Sequence, residues 1–179
     1  MKHTIKSIQD TGKTVKYLFF WGHQPNRDGS IGKSCFSQWW EAEFTVENIT
    51  YKTAEHYMMA EKARLFNCEG IRQKIIECKS PAAAKKLGRQ VENFNSDIWN
   101  SHRFQIVVNG NYAKFSQNSA LKEFLIQTKK RVLVEASPVD PIWGIGMAED
   151  NEVSSNPKKW KGLNLLGFAL MEVRDSINS

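Results

Sequence analysis

The stretch TAEHYMMAEKARLF, residues 53 to 66, places two charged side chains where apolar ones are expected. Thr53 is a suitable N-cap, because its hydroxyl can accept from the backbone amides of the first helical turn. At about 100° per residue, Glu55 and Lys62 then fall in the middle of the apolar stripe. The opposite face carries the residues expected to meet solvent: Tyr57, Glu61 and Arg64.

Burying an isolated charge is costly, so such groups usually pair, change protonation or mark a site. Periodicity alone therefore leaves two interpretations of Glu55 and Lys62 open, a buried ion pair and a functional site. His56, at the edge of the stripe, is expected to be a hydrogen-bonded structural group rather than a catalyst.

A second group of chemistry-bearing residues surrounds the segment DPIWGIG, residues 140 to 146. Glycines such as Gly144 permit close backbone approach, and Trp143 offers a flat surface for a base or sugar. A tight turn that packs the tryptophan into the core is the alternative. Asp140 and Glu135 are carboxylates five residues apart at a predicted strand-to-loop edge, which favours a site.

Two further residues are candidates for substrate binding. Arg89 could place its planar guanidinium on a phosphate, whereas a surface arginine at a helix end is the alternative. Trp21 belongs to an aromatic cluster expected in the core, where the adjacent residues Trp39 and Trp40 cannot both point inward, so that one of them can line a groove. We assign Trp21 to the substrate-binding group.

The elements that must position these residues are predicted strands in the first third of the chain and mainly helices after residue 53. Residues 14–22 and 131–136 are predicted strands, and residues 44–51 are predicted to form two strands around a turn at Glu47 and Asn48. Predicted helices begin at Thr53, at Ser80-Pro81 (through Arg89), at Ser96-Asp97 (weakened by Gly110), after Asn118, and after Asn164 as a buried closing helix. Residues 137–162 show no periodicity, which is typical of a functional loop.

Composition sets the class of protein. The 179 residues, 41% hydrophobic and 25% charged, indicate one soluble globular domain spanning residues 1–179. The predicted fold class is α+β, predominantly helical, a single compact domain with short N-terminal strands. The net charge of +6 favours anionic partners, either nucleic acid or small phosphorylated molecules.

Three cysteines without ligand spacing argue against a metal site or a disulfide framework. The sequence has no apolar run of the length that a membrane span requires and no apolar leader segment. We therefore expect no membrane partner and a cytoplasmic protein.

The order of these motifs resembles the NADAR family from residue 17 to residue 174. The resemblance rests on the following residues: Phe36-Ser37, Thr53-x-Glu55-His56-Tyr57 with Lys62, Gly88-Arg89, Trp99, Lys114-Phe115, Leu133-Val134-Glu135, Asp140-x-x-Trp143-Gly144-x-Gly146, Gly162-x-Asn164-x-x-Gly167 and Leu170-Met171-Glu172. The sequence departs from the family pattern in the longer loop WGHQPNRDGSIGKS and in FSQWW, where a substrate would be gripped.

The resemblance implies an N-glycosidase that cleaves a bond between ribose and nitrogen, with a YbiA-like fold. Its substrates would be phosphoribosylamino-pyrimidine intermediates of riboflavin synthesis or ADP-ribosylated guanine in nucleic acid. A non-catalytic module that binds ADP-ribose or nucleic acid through the same pocket is the alternative.

Cleavage builds positive charge at the anomeric carbon and negative charge on the leaving nitrogen. We expect Lys62 to act as nucleophile or acid, Glu55 as its partner and proton shuttle, and Asp140 as the carboxylate for the sugar or water. The predicted substrate-binding residues are Trp21, Arg89, Glu135, Trp143, Gly144 and Asn164, where Asn164 holds a hydroxyl or caps the closing helix. No metal or cofactor is required.

Overall fold

A computed structural model describes residues 1–10 and 15–178 of the chain. Within these residues the helices are α1 (Ile5–Gln9), α2 (Ala54–Leu65), α3 (Glu69–Glu77), α4 (Pro81–Gly88), α5 (Ser96–Gln117), α6 (Ser119–Gln127) and α7 (Leu165–Ile177). The strands are β1 (Tyr17–Phe20), β2 (Phe44–Val46), β3 (Ile49–Tyr51) and β4 (Val132–Glu135). The predicted α+β, predominantly helical class is confirmed. Among the described helices, none is long and apolar enough to cross a membrane.

The chain divides into two compact units. Unit 1 comprises residues 1–37 and 120–179, and unit 2 comprises residues 38–119. Unit 1 is therefore built from two separate segments of the chain, with the whole of unit 2 between them.

Unit 1 is organised by a two-stranded parallel sheet. β1 pairs with β4 in a register that runs from Tyr17 opposite Val132 to Phe20 opposite Glu135. Parallel pairing requires a long crossover connection, which here contains all of unit 2 and α6. The apolar helix α7 covers β4, and Gly167 permits this close packing because a Cβ there would overlap the carbonyl oxygen of Leu133.

Unit 2 is organised by α2, which packs against α3, α4 and α5. Thr53 caps α2 by accepting from the backbone amide of His56, as predicted. β2 and β3 form an antiparallel hairpin, and the predicted turn at Glu47 and Asn48 is confirmed. Both turn residues have positive φ angles, 49° and 63°, which matches the twist of a two-residue hairpin.

Burial around α2 differs from the predicted pattern at Tyr57. This residue was expected on the solvent face, but it is buried, because its ring lies 5.1 Å from Tyr51 and 6.0 Å from Phe44. The ring also covers Gly110 of α5. Arg64 is exposed, as expected, and pairs with Glu61 at 2.7 Å.

The other predicted elements are found close to their expected bounds. α4 is capped by Ser80, and α6 begins directly after Asn118. α5 is capped by Asn95 rather than by Ser96 or Asp97, and it continues through Gly110. α1 and α3 were not predicted. Of the predicted strand 14–22, Thr14 lies outside the described residues.

Candidate active site

The first group of predicted site residues surrounds the side chain of Lys62 in unit 2. Lys62 Nζ donates to the carbonyl oxygen of Gly88, at the end of α4, at 2.8 Å. It also lies 4.3 Å from the ring centroid of Phe94 and 5.9 Å from that of Trp99. Aromatic faces at these distances attract a cation. Together with Arg89, these residues form what we call the lysine cluster.

The electrostatics of the lysine cluster favour an amine that loses its proton easily. Burial lowers the pKa of Lys62, and the positive charge of Arg89 lowers it further. Both effects disfavour the charged ammonium. Arg89 is exposed and, among the described residues, its guanidinium forms neither a hydrogen bond nor an ion pair. The cluster therefore presents two neighbouring cations that an anion can neutralise.

Glu55 does not form the ion pair with Lys62 that was one interpretation of the sequence. Within residues 1–10 and 15–178, the Lys62 ammonium has no carboxylate partner, because its side chain runs to the end of α4. Glu55 lies in the first turn of α2, where its side chain is only 3% exposed. Its backbone amide donates to the carbonyl oxygen of Gln38 at 2.9 Å. The carboxylate of Glu55 is thus buried and is not the partner of Lys62.

His56 has the structural role that the sequence predicts. Its Nε2 lies 3.2 Å from the carbonyl oxygen of Cys78, so this nitrogen carries the proton. Its Nδ1 then accepts from the hydroxyl of Thr53 at 2.8 Å. Burial lowers the pKa of His56, which keeps the ring neutral.

Two buried polar side chains of α5 were missed as site candidates. Lys114 is completely buried, and its Nζ lies 5.1 Å from the ring centroid of Phe115. Asn111 is also buried, and it donates to Gln38 Oε1 at 2.8 Å. Both residues lie on the same face as Val107, at intervals of three and four residues. A helical wheel of α5 would therefore have shown a charge inside its apolar stripe, as it did for α2.

The second group of predicted site residues lies in unit 1, at the turn that follows β4. Asp140 Oδ1 accepts from the backbone amides of Ile142 and Trp143 at 2.9 and 2.8 Å. Among the described residues its second oxygen, Oδ2, has no hydrogen-bond donor. Asp140 therefore shapes the turn with one oxygen and retains the other for a ligand.

Backbone bonds hold this turn against β4 and α7. Gly144 is buried, and a Cβ there would lie 2.8 Å from the carbonyl oxygen of Glu135. The carbonyl oxygen of Gly144 accepts from the backbone amide of Asn164 at 3.0 Å, and that of Glu135 accepts from Ile145 at 2.9 Å. The close approach that the glycine permits is to the protein's own backbone.

Asn164 is a clamp rather than a helix cap or an open ligand group. Its backbone precedes α7 in the left-handed region at φ 53°, and its side chain makes no capping bond. Instead Oδ1 accepts from the backbone amide of Glu135 at 3.0 Å, and Nδ2 donates to Leu133 at 2.9 Å. The fully buried amide of Asn164 therefore fixes the end of β4, and we assign it as a positioning residue.

The aromatic candidates of unit 1 keep accessible surface. Trp21 follows the last residue of β1 and is 59% exposed. Because β1 and β4 are parallel and Phe20 pairs with Glu135, Trp21 leaves the sheet at the end where β4 also ends. Trp143 is half-buried, and its carbonyl oxygen accepts from Leu166 at 3.1 Å. The structure thus brings the unit 1 candidates together at the C-terminal ends of the strands, and brings Lys62 and Arg89 together in unit 2.

Comparison with known proteins identifies the family. The model of the NADAR domain matches residues 19–178. N-glycosidase R617 of Acanthamoeba polyphaga mimivirus is 45% identical over 168 residues, which are 91% of this chain and 97% of that protein. N-glycosidase YbiA of Escherichia coli K12 is 32% identical over 144 residues, which are 80% of this chain and 79% of that protein. The NMR structure of E. coli YbiA superimposes with a TM-score of 0.73 at 27% identity, covering 93% of this chain and 87% of that one. The chain therefore belongs to the NADAR family.

Proposed function

We propose that this protein hydrolyses the bond between ribose and nitrogen in a phosphorylated ribosyl substrate. It is an enzyme of the N-glycosidase class, a hydrolase of N-glycosyl bonds, as its relatives R617 and YbiA are named. The observation that carries the proposal is the lysine cluster. There the lowered pKa of the Lys62 amine and the adjacent cation Arg89 provide a nucleophile and an anchor for phosphate.

Arg89 supplies the anchor. A guanidinium binds phosphate through two parallel hydrogen bonds, and Arg89 makes no competing ion pair among the described residues. A bound phosphate would also attract the Lys62 ammonium, so the substrate itself would offset the repulsion between the two cations.

Lys62 supplies the amine. A ribosylamine ring-opens to an imine, and the neutral amine of Lys62 adds to its C1 carbon. The C1–N bond to the pyrimidine then breaks, and the departing amine takes up a proton. Water hydrolyses the new imine between Lys62 and the sugar, which releases the phosphorylated ribose and restores the lysine.

The other predicted residues complete the proposal. Glu55 serves as the buried carboxylate for proton transfer, although it does not pair with Lys62. Within unit 1, Asp140 keeps its Oδ2 for a sugar hydroxyl or a water. Trp21, Trp143 and Glu135 are the proposed substrate-binding residues of this unit, whereas Gly144 lets the turn pack on the backbone of Glu135, and Asn164 positions that backbone.

We favour phosphoribosylamino-pyrimidine intermediates of riboflavin synthesis as substrates, because one phosphate and one ribosylamine suit a cluster with one arginine and one amine. ADP-ribosylated guanine in nucleic acid is the second candidate. The net charge of +6 and the exposed ring of Phe94, 46% exposed, support this second substrate. A non-catalytic module that binds ADP-ribose would use the same residues without releasing a base.

The decisive experiment incubates the protein with a phosphoribosylamino-pyrimidine and, separately, with ADP-ribosylated DNA, and measures the products by mass spectrometry. Release of free base from either substrate is expected. Binding of both substrates without release would establish the non-catalytic alternative and overturn the proposal.

Borohydride reduction during turnover tests the covalent step. We expect a phosphoribityl adduct on Lys62 and loss of activity in Lys62→Ala. Turnover without an adduct at Lys62 would exclude the imine route and leave direct displacement by water. Full activity of Lys62→Ala would remove Lys62 from the mechanism.

A further inference from the structure

A large groove in unit 1 lies at the end of the sheet opposite to Trp21 and Glu135. It has a volume of about 1290 Å³ and includes the first residues of β1 and β4, Tyr17 and Val132. Three residue steps of about 3.3 Å, roughly 10 Å in total, separate these residues from the other ends of the strands. The groove therefore belongs to a different surface of unit 1 from the predicted unit 1 site.

The lining of this groove combines cations with an apolar floor. Its basic residues are Lys16, Lys129, Lys130, Arg131 and Arg174. Asp175 is its acidic residue, and its carboxylate is bonded to the ring of His3 at 2.9 Å. We call this surface the basic groove. Its excess of positive charge favours an anionic occupant.

Arg174 is a buried residue of the basic groove that hydrogen bonds hold in place, rather than a solvated surface cation. Its side chain is 4% exposed, and its Nη1 donates to Thr128 Oγ1 at 2.8 Å and to the carbonyl oxygen of Arg131 at 2.9 Å. Among the described residues, its other donors, Nε and Nη2, have no acceptor. A buried guanidinium that lines a groove and keeps unused donors is suited to bind an anion there.

The size and the aromatic content of the basic groove indicate the kind of anion. Small-molecule sites typically occupy about 300–1,000 Å³, so this groove exceeds the needs of one nucleotide. Lys16 and Arg131 lie side by side at the starts of the paired strands β1 and β4, and Lys129 and Lys130 lie in the turn before β4, so the charges are concentrated at this end of the sheet. Tyr17 contributes an aromatic ring, stacked on Phe19 at 5.8 Å and in edge contact with Trp160 at 6.4 Å. A group of cations beside an aromatic ring is the combination that recognises single-stranded nucleic acid.

We propose that the basic groove binds single-stranded nucleic acid, with phosphates on Arg174 and the rim lysines and a base stacked on Tyr17. This binding needs neither Lys62 nor Arg89 and does not rest on the proposed hydrolysis.

Fluorescence anisotropy with a labelled 12-nucleotide oligothymidylate tests the proposal. The variant Lys129→Gly with Lys130→Gln removes two rim charges, and glycine suits the left-handed backbone of Lys129 at φ 53°. We expect weaker binding and a smaller salt dependence. In a plot of the logarithm of the association constant against the logarithm of the salt concentration, the slope should be less steep by about 1.4, because each lost phosphate contact reduces it by about 0.7. Tyr17→Leu should weaken binding about 5- to 150-fold, whereas Tyr17→Phe should retain it.

The matched control is Lys74→Gln with Lys79→Gln, which removes the same charge from exposed positions that do not line the groove. It should leave the affinity and the salt dependence unchanged. An abasic oligomer of equal length should bind less tightly than the oligothymidylate. Wild-type affinity in the Lys129 and Lys130 variant would overturn the proposal, as would binding to phosphatidylserine vesicles without binding to the oligonucleotide. Turnover of a small ribosylamine should be equal in both charge variants. A failure of the nucleic-acid proposal is therefore distinguishable from a failure of the proposed enzyme activity.

Discussion

At Lys62, opposing contacts act on a single proton. The carbonyl oxygen of Gly88 and the ring of Phe94 favour the ammonium, whereas burial and Arg89 favour the neutral amine, and the pKa of Lys62 is lowered on balance. A lowered pKa means that the amine becomes nucleophilic at a lower pH than an ordinary lysine. Any step that uses the neutral amine should therefore become faster as the pH rises through the lowered pKa.

The pH dependence of kcat/KM, which reports the free enzyme, should consequently depend on Arg89. In Arg89→Gln the cation that lowers the pKa of Lys62 is lost, so the rise of kcat/KM should move to higher pH. Arg89→Lys should restore the wild-type profile. The measurement is kcat/KM from pH 6 to pH 10. An unchanged profile in Arg89→Gln would show that the titrating group does not sense Arg89, which contradicts its assignment to Lys62.

Arg89 should also discriminate between phosphorylated and unphosphorylated substrates. A hydrogen bond to a charged group contributes about 1.5–3 kcal/mol, so Arg89→Gln should lower kcat/KM for the phosphorylated substrate by about 10- to 150-fold. The corresponding riboside without phosphate should lose little. Lys74→Gln, an exposed change on α3, is the control. Equal losses with both substrates would contradict a phosphate contact.

Sequence reasoning at this scale identified individual charges but not their partners. Lys62 was found because a charge inside an apolar stripe is a local signal. Its acceptor, the carbonyl oxygen of Gly88, is 26 residues away in sequence, so only the packing of α2 against α4 reveals it. The same stripe signal exists at Lys114, but this residue was considered only as part of the motif Lys114-Phe115 and not as a site candidate.

At the scale of elements, local sequence signals were sufficient to predict the capped helices and the hairpin. Ser80 before Pro81 fixes the start of α4, and Glu47 with Asn48 fixes the hairpin turn. α3 was missed because its N-cap, Cys68, makes no side-chain capping bond. The pairing of β1 with β4 joins residues more than one hundred positions apart, and neither strand carries a signal for its partner.

The glycines of α3 and α5 give a matched test of helix packing. Alanine is favoured over glycine in a helix by about 1 kcal/mol, so Gly70→Ala, which meets nothing within 4 Å, should stabilise the protein by up to that amount. At Gly110 a Cβ would lie 2.5 Å from the ring of Tyr57. Gly110→Ala should therefore lower the free energy of unfolding by about 1–3 kcal/mol. Urea denaturation measures both, and a stabilised Gly110→Ala would refute the close packing of α5 on Tyr57.

At the scale of the whole molecule, the single domain over residues 1–179 stays a prediction, and the structure describes two compact units in the chain. The sequence carries no signal for the two units, because no linker-like composition marks the chain near residues 37 and 120, where they meet in sequence. Both units contain predicted site residues. Ligand binding to the lysine cluster should accordingly be visible as stabilisation of the folded protein.

Ribose 5-phosphate is a suitable ligand for measuring this stabilisation. A ligand that binds only the folded state at one hundred times its Kd contributes about 2.7 kcal/mol of stability. For a chain of this size this corresponds to a rise in Tm of about 5–11 °C. Free ribose should have a much smaller effect, and Arg89→Gln should abolish most of the shift. Equal shifts for ribose and ribose 5-phosphate would show that the phosphate is not recognised.

The insertion of unit 2 between the two segments of unit 1 also sets an order of events during synthesis. Unit 2 is complete in the growing chain when residue 119 emerges, whereas β1 must wait for β4 and α7. At roughly 5–20 residues per second, the remaining 60 or so residues take about 3–12 s to appear. During that interval the nascent protein carries the lysine cluster on a finished unit 2, while β1 still lacks its sheet partner and offers an open edge to chaperones.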